Sequence, residues 1–142
     1  MSKVYRVFID TSAWIMLLNA DENRYQEAVA TYDDKLKSAE KYTSNMIIGE
    51  TYTWLRIKAG YQPAMEFLHT INTMLEKDLL ILIRSGKESE NLATGYLQKY
   101  KDHRISYVDA VSFAIMKELD IKEAFTFDKH FSIAGFTPLN PL

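Results

Sequence analysis

The stretch VYRVFIDTSAW, residues 4–14, decides the fold of this chain. Residues 4–9 are rich in β-branched and aromatic side chains, which favour a β-strand. Asp10, Thr11 and Ser12 follow at once and belong to the types that cap helices, so we expect a helix to begin near Ala13. The stretch therefore predicts a strand that leads directly into a helix N-terminus, which is typical of α/β domains.

Helices and short strands alternate along the rest of the sequence. Apolar spacing predicts helices at residues 14–18, 24–41, 45–58, 63–75, 87–100 and 107–119, and Gly60 stands where the third of them should end. Apolar or β-branched runs predict strands at residues 41–44, 79–83 and 123–127, and the continuous apolar run 79–83 indicates a strand covered on both faces. We therefore predict a single α/β domain over residues 1–142 with a short, mainly parallel central sheet flanked by helices.

The composition limits the chemistry that is open to the chain. Its 142 residues and 47% hydrophobic content suffice for one buried core, and without cysteine it has neither disulfides nor thiolate metal ligands. No run approaches the roughly 18 apolar residues of a membrane span, so we expect a cytoplasmic protein with no membrane partner. The net charge of −2 is not that of a strongly basic nucleic-acid binder, but a local basic patch can coexist with an acidic site.

Four acids stand at places where a parallel sheet gathers functional groups. Asp10 follows the first predicted strand, and Asp128 follows the last. Asp109 begins the last predicted helix, and Glu50 borders the apolar stripe of the third. Each acid alone also has a structural explanation, as a helix cap or first-turn acid for the three aspartates and as a solvated rim residue for the glutamate.

As a set, these acids indicate a metal site. Carboxylates that are held together repel one another unless a proton or a cation neutralises them. An oxygen-only cluster without cysteine or histidine suits Mg²⁺, with Mn²⁺ as the alternative ion. The rival interpretations are a catalytically idle interaction module and a phosphatase with an aspartyl nucleophile. The phosphatase is the weaker rival, because Ser12 stands two positions after Asp10, where the haloacid-dehalogenase pattern has a second aspartate.

Four blocks of sequence are spread along nearly the whole chain, from residue 8 to residue 131. They are FIDTSAW at residues 8–14, GETYTWLR at 49–56, SYVDAVSFAIMKE at 106–118 and FTFDKHF at 125–131. In order and separation these blocks resemble the PIN-domain family, in particular the VapC-like ribonuclease toxins of toxin-antitoxin pairs. The resemblance implies a PIN-like, Rossmann-like three-layer domain.

The resemblance also assigns roles to the acids. It implies that Asp10, Glu50 and Asp109 form the acidic core of a Mg²⁺ site, with Asp128 as the fourth and more variable acid. Three neighbouring hydroxyl residues are implied as polar support: Thr11, Ser12 and Thr126. The implied partners are RNA, a second copy of the chain and a small antitoxin protein, for which apolar helical surfaces in residues 47–55 or 65–75 are candidates. A PIN-fold RNA-processing nuclease outside a toxin-antitoxin system remains the alternative, beside the idle module.

The expected reaction is hydrolysis of RNA by metal-activated water. In-line attack by water leaves a 5′-phosphate and a 3′-hydroxyl. No histidine pair that could activate a ribose 2′-hydroxyl is evident, and we interpret all three histidines as surface or satisfied residues: His69, His103 and His130. The candidate RNA contacts are basic residues close to the acids in sequence, chiefly Lys101, Arg104 and Lys129, with Lys99 and His103 in the same basic run.

Overall fold

Residues 4–140, as described by a computed structural model, are built on a five-stranded sheet. Its strands are β1 (Arg6–Ile9), β2 (Glu40–Ser44), β3 (Ile81–Ile83), β4 (Glu123–Phe125) and β5 (Thr137–Pro138). They lie in the order β3-β2-β1-β4-β5, and every neighbouring pair is parallel. The predicted parallel α/β fold is thereby confirmed, while residues 1–3 and 141–142 of the predicted domain lie outside the described residues.

Helices connect the strands. Over residues 4–140 they are α1 (Thr11–Leu18), α2 (Tyr25–Thr31), α3 (Asn45–Lys58), α4 (Tyr61–Glu76), α5 (Lys87–Lys99), α6 (Tyr107–Glu118) and α7 (His130–Ile133). Right-handed crossovers place the helices that precede β3 on one face of the sheet, and α5 and α6 on the other. The sheet therefore forms the middle of three layers, with helices above and below it. None of the helices in the described part of the chain is both long and apolar enough to cross a membrane.

The prediction of one helix over residues 24–41 is wrong. Helix α2 ends at Thr31 and continues only as a π-helical turn, Tyr32–Leu36, before β2 begins at Glu40. The buried Lys41 ammonium donates to the carbonyl oxygens of Leu36 at 2.9 Å and Ala39 at 3.1 Å, which satisfies the end of the π turn. Pairing with β1 therefore overrides the local helical pattern of the charged segment.

Two further differences concern the ends of the sheet. The run 79–83 is not covered on both faces, because β3 is an edge strand in which Ile81 is 38% exposed. The strand predicted at 123–127 ends at Phe125, and the two-residue β5 at the other edge was not predicted. Pro138 in β5 lacks a backbone donor and is tolerated at an edge position.

Gly60 does end α3 as predicted. Its φ is +111°, a conformation that favours glycine, and its N–H donates to the Leu55 carbonyl oxygen at 2.9 Å. Helix α4 begins at the following residue, so the glycine allows a tight turn between two helices that pack against each other.

The sheet order creates a crevice at one place. The chain leaves β1 toward β2 and β3 on one side and returns to β4 and β5 on the other. In such sheets the loops after the two central strands diverge, which opens a crevice at their carboxyl ends where ligands bind. Here the crevice lies beyond Ile9 and Phe125, so the segments that contain Asp10 and Asp128 border it.

Helix α6 is fixed beside this crevice by its burial. Residues 109–116 are buried without interruption, so the helix is packed on several sides. The Phe113 ring contacts Phe131 edge-on at 4.9 Å between centroids and stacks on Phe136 at 5.7 Å. These contacts join α6 to α7 and to the segment before β5, which places the first turn of α6 close to the loop after β4.

Candidate active site

Asp10 occupies the end of β1 and is the N-cap residue of α1. Its backbone N–H donates to the Phe125 carbonyl oxygen at 3.0 Å, which extends the β1–β4 pairing by one residue. The residue is only 2% exposed, and its side chain makes no capping hydrogen bond. Instead, Oδ2 accepts hydrogen bonds from Ser12 Oγ at 2.8 Å and Thr126 Oγ1 at 2.9 Å. The helix-cap interpretation therefore does not explain this carboxylate.

The two hydroxyls that hold Asp10 are themselves held by the backbone after β4. Ser12 Oγ accepts the Phe127 N–H at 2.8 Å, and Thr126 Oγ1 accepts the Asp128 N–H at 3.0 Å. Each hydroxyl thus donates to the carboxylate and accepts from the neighbouring loop. Thr11 is buried too, but its Oγ1 has no hydrogen-bond partner.

Asp109 lies in the first turn of α6. The Ser106 Oγ accepts the Asp109 N–H at 3.0 Å, which is the capping interaction predicted from the three-residue spacing. The cap uses the backbone of Asp109 and leaves its carboxylate available. That carboxylate is within hydrogen-bonding reach of Asp128 and within electrostatic reach of Asp10 and Glu50.

Asp128 and His130 follow β4 and complete the cluster. Asp128 Oδ1 accepts the backbone N–H of His130 at 2.9 Å. The imidazole Nδ1 of His130 lies 2.9 Å from Asp128 Oδ1 and 3.8 Å from Asp109 Oδ2. The interpretation of His130 as a surface residue is therefore wrong, since its side chain is only 16% exposed and faces two acids of the cluster. Its position two residues after an acid, in the turn that follows a strand, was the signal available in the sequence.

Burial and crowding change the proton affinity of these acids. Burial raises the pKa of Asp10 from 3.8 to about 6, although the hydrogen bonds from Ser12 and Thr126 oppose the increase. Burial, followed by the charges of Asp10 and Asp128, raises the pKa of Asp109 from 3.8 to about 8. The charge of Glu50 adds to this increase, so the half-buried glutamate on α3 belongs to the same electrostatic cluster.

The predicted RNA contacts lie outside the buried cluster. Lys101 and Arg104 are exposed in the connection between α5 and α6, and Lys129 is exposed between Asp128 and His130. His69 and His103 are exposed as well, in agreement with their interpretation as surface residues.

The side chains in the cluster fit a divalent cation. Several carboxylates share a poorly hydrated space, and the raised pKa values of Asp10 and Asp109 are the consequence. The buried Nδ1 of His130 forms no hydrogen bond, despite its short distance to Asp128. A cation among these atoms would offset the repulsion between the carboxylates and could bind to His130 Nδ1. The arrangement can therefore bind a metal ion, which helix capping alone would not require.

Comparisons with known proteins agree with this geometry. The family model for the PIN domain matches residues 7–136. This chain is 32% identical to the 23S rRNA-specific endonuclease VapC20 of Mycobacterium tuberculosis, from strains CDC 1551 / Oshkosh and ATCC 25618 / H37Rv. The aligned 136 residues make up 95% of this chain and 98% of the relative. The crystal structure of Mycobacterium tuberculosis VapC20, a sarcin-ricin loop cleaving toxin, has a TM-score of 0.86 at 31% identity and covers 95% of this chain and 99% of its own. FitAcB from Neisseria gonorrhoeae shares the fold, with a TM-score of 0.67 at 16% identity over 95% of this chain and 97% of its own.

Proposed function

The chain belongs to the PIN-domain family, and from that premise we propose that its clustered acids bind Mg²⁺ or Mn²⁺ for the hydrolysis of RNA. As a PIN-domain relative of VapC20 over 95% of its length, the chain is a ribonuclease of the toxin-antitoxin type. The observation that carries the metal proposal is the convergence of Asp10, Asp109 and Asp128 from three separate elements of the fold. Of the three carboxylates, only that of Asp128 accepts a backbone N–H at the start of a helix, so capping gives no reason to gather them.

The proposed ligands are Asp10, Glu50, Asp109 and Asp128. A divalent ion bound there supplies a Lewis acid that lowers the pKa of water and stabilises charge on the phosphoryl oxygens. Ser12 and Thr126 orient the Asp10 carboxylate through their hydroxyls, and Ser106 positions Asp109 by capping α6. Attack of water on phosphorus breaks the bond to the 3′ oxygen, which departs as a 3′-hydroxyl and leaves the phosphate on the 5′ end.

Three exposed cations are the proposed contacts to the RNA backbone: Lys101, Arg104 and Lys129. Because phosphate contacts of this kind depend on charge and not on base identity, their loss should weaken binding to all RNAs and reduce its salt dependence. Lys129 lies directly beside two members of the acidic cluster, which supports a contact close to the scissile phosphate.

Ribosomal RNA is the first substrate class to test. The relative that spans nearly this whole chain acts on 23S rRNA, and its structure is that of a sarcin-ricin loop cleaving toxin. We therefore propose a structured loop of large-subunit ribosomal RNA as the substrate. Incubating the purified protein with ribosomes and with transfer and messenger RNAs, followed by sequencing of the new ends, should give one dominant cut in 23S rRNA. Cleavage confined to another RNA class would contradict this choice.

The metal requirement has a direct test. The purified protein should cut RNA with Mg²⁺ or Mn²⁺ and lose the activity in excess EDTA, because the proposed chemistry depends on the cation. Asp109→Asn protein prepared in parallel reports any contaminating nuclease. Undiminished cleavage by the wild type in excess chelator, beyond the level in that control, would contradict the metal mechanism.

The proposed protein partners are a second copy of the chain and a small antitoxin. The candidate stripes are mostly core, since Ile47 and Leu55 of α3, like Phe67 and Ile71 of α4, are buried. Apolar surface near the α3–α4 turn remains exposed, at Ile57, Tyr61 and Met65. Exposed apolar side chains grouped in this way support a protein interface. Light scattering coupled to size exclusion should give the mass of a dimer, and a monomer at all concentrations would contradict the homodimer.

A further inference from the structure

His130 places an imidazole nitrogen among the acids of the proposed cation site. Its side chain is 16% exposed, and Nδ1 approaches Asp128 Oδ1 to 2.9 Å and Asp109 Oδ2 to 3.8 Å. Within residues 4–140, these side chains form the one group of three acids or histidines whose ligand atoms all lie within 4.8 Å of one another. The sequence predicted a site of oxygen ligands only, whereas the structure adds a nitrogen.

The position of Nδ1 is better explained by a shared cation than by a hydrogen bond. The atom is buried and forms no hydrogen bond, although it lies 2.9 Å from Asp128 Oδ1. The same Oδ1 already accepts the backbone N–H of His130 at 2.9 Å. Adjacent ligand atoms on a six-coordinate ion with bonds of about 2.1 Å are separated by about 3.0 Å. The spacing of Nδ1 and Oδ1 therefore suits two ligands of one ion.

We propose that His130 is a direct ligand of the divalent cation and that it makes the site prefer Mn²⁺ to Mg²⁺. This inference rests on the proposed function and names the ion that the function left open. Mg²⁺ favours oxygen ligands and water, whereas imidazole nitrogen suits ions of the first transition row. The competing role for His130 is a protonated counter-ion of Asp128, which would bind no metal and would not discriminate between the two ions.

Electron spin echo spectroscopy of bound Mn²⁺ tests the ligand without any substitution. The wild type should show modulation from a directly bonded ¹⁴N nucleus, and protein labelled with ¹⁵N-histidine should show the corresponding ¹⁵N modulation instead. Bound Mn²⁺ without nitrogen modulation, in protein that still cuts RNA in a metal-dependent way, would overturn this inference and leave the proposed function standing. No binding of either Mn²⁺ or Mg²⁺ would overturn both.

Calorimetry on His130→Gln tests the preference, with His69→Gln as the matched control because His69 is exposed on α4. Removing His130 should weaken Mn²⁺ binding at least about 10-fold and change Mg²⁺ binding by less than about threefold. His69→Gln should change neither. Equal weakening of both ions, or unchanged Mn²⁺ binding, would contradict the proposal. Thermal melts verify that each variant folds, and if His130→Gln does not, the wild-type nitrogen signal decides.

Discussion

The Asp10 carboxylate shows how single side chains determine the state of this site. Two hydroxyls donate to one of its oxygens, and the residue is almost fully buried. The hydrogen bonds favour the ionised form, while burial opposes it and has the larger effect, so the pKa rises to about 6. A cation nearby would stabilise the ionised form of a buried carboxylate so close to other carboxylates.

The first prediction concerns the acids one at a time. Asp10→Asn, Glu50→Gln and Asp109→Asn should each lower RNA cleavage at least about 100-fold, because loss of a ligand costs more than the 10 to 100-fold typical of changes around a metal site. Asp128→Asn should lower the cleavage rate less, since the Asp128 side chain is 28% exposed. The side-chain oxygen of the introduced asparagine can also still accept the His130 N–H. Rates of RNA cleavage at saturating Mn²⁺ measure the loss of activity in each of the four variants.

Melting temperatures provide the control for these substitutions. A variant that melts much earlier than the wild type yet keeps wild-type specific activity would favour the capping role over the metal role. Circular dichroism melts of the four variants distinguish these cases.

The second prediction is a pH dependence of stability in metal-free protein. The pKa of Asp109 is about 8 in the folded state against an ordinary 3.8. The stability that comes from its protonated form is therefore fully present below about pH 3.8 and is lost as the pH rises through about 8. Asp109→Asn cannot ionise, so its melting temperature relative to wild type should increase between about pH 5 and about pH 9. A difference that stays constant with pH would show that Asp109 ionises normally.

At the scale of elements, helix caps position two of the acids. Ser44 and Ser106 accept N–H groups from Ile47 and Asp109 at the starts of α3 and α6. Asp109 lies within the capped turn itself, whereas Glu50 lies farther along its helix. Fraying of a first turn should therefore displace Asp109 more than Glu50.

The third prediction follows from these caps. Ser106→Ala and Ser44→Ala should each lower the free energy of unfolding by about 1 kcal/mol, the usual cost of a lost N-cap. RNA cleavage should fall more in Ser106→Ala, because its cap holds the turn that carries Asp109. Denaturant unfolding and cleavage rates on both variants provide the comparison. A larger loss of activity in Ser44→Ala would mean that the α3 cap is the more important for the site.

The whole molecule brings the site together through its strand order. β1 and β4 are neighbours, although more than 100 residues separate them in sequence, and the loops that follow them carry Asp10 and Asp128. The packing of α6 against α7 adds Asp109. A cation bound at this point would therefore connect segments from both ends of the chain and stabilise the entire folded state.

The fourth prediction tests this connection. Mn²⁺ or Mg²⁺ at about 100 times its dissociation constant should stabilise the folded wild type by about 2.7 kcal/mol through mass action. The same ion concentration should raise the melting temperature of Asp10→Asn and Asp109→Asn much less. Scanning calorimetry with and without the ion measures the shifts. Equal shifts in all three proteins would place the cation elsewhere on the molecule.

Local sequence patterns were sufficient to predict much of the fold. Helix α3 was predicted with its correct bounds, because the apolar stripe and Gly60 agree there. The prediction of one helix over residues 24–41 failed because it used only the local helical pattern. The pairing of β2 with β1 depends on residues far away in sequence. Edge position likewise depends on the strand order, so the exposure of β3 was not visible in its apolar run.

The sequence by itself determined which acids to consider and the parallel α/β fold that could bring them together, because strand ends and helix starts are marked by short-range patterns. Only the tertiary structure decided the distances among them. It identified Asp10 Oδ2 as the atom that Ser12 and Thr126 hold, buried Asp109 and brought the His130 imidazole into the cluster. These features depend on the packing of β1, β4, α6 and α7, and contacts between such distant segments leave no periodic signal in the chain.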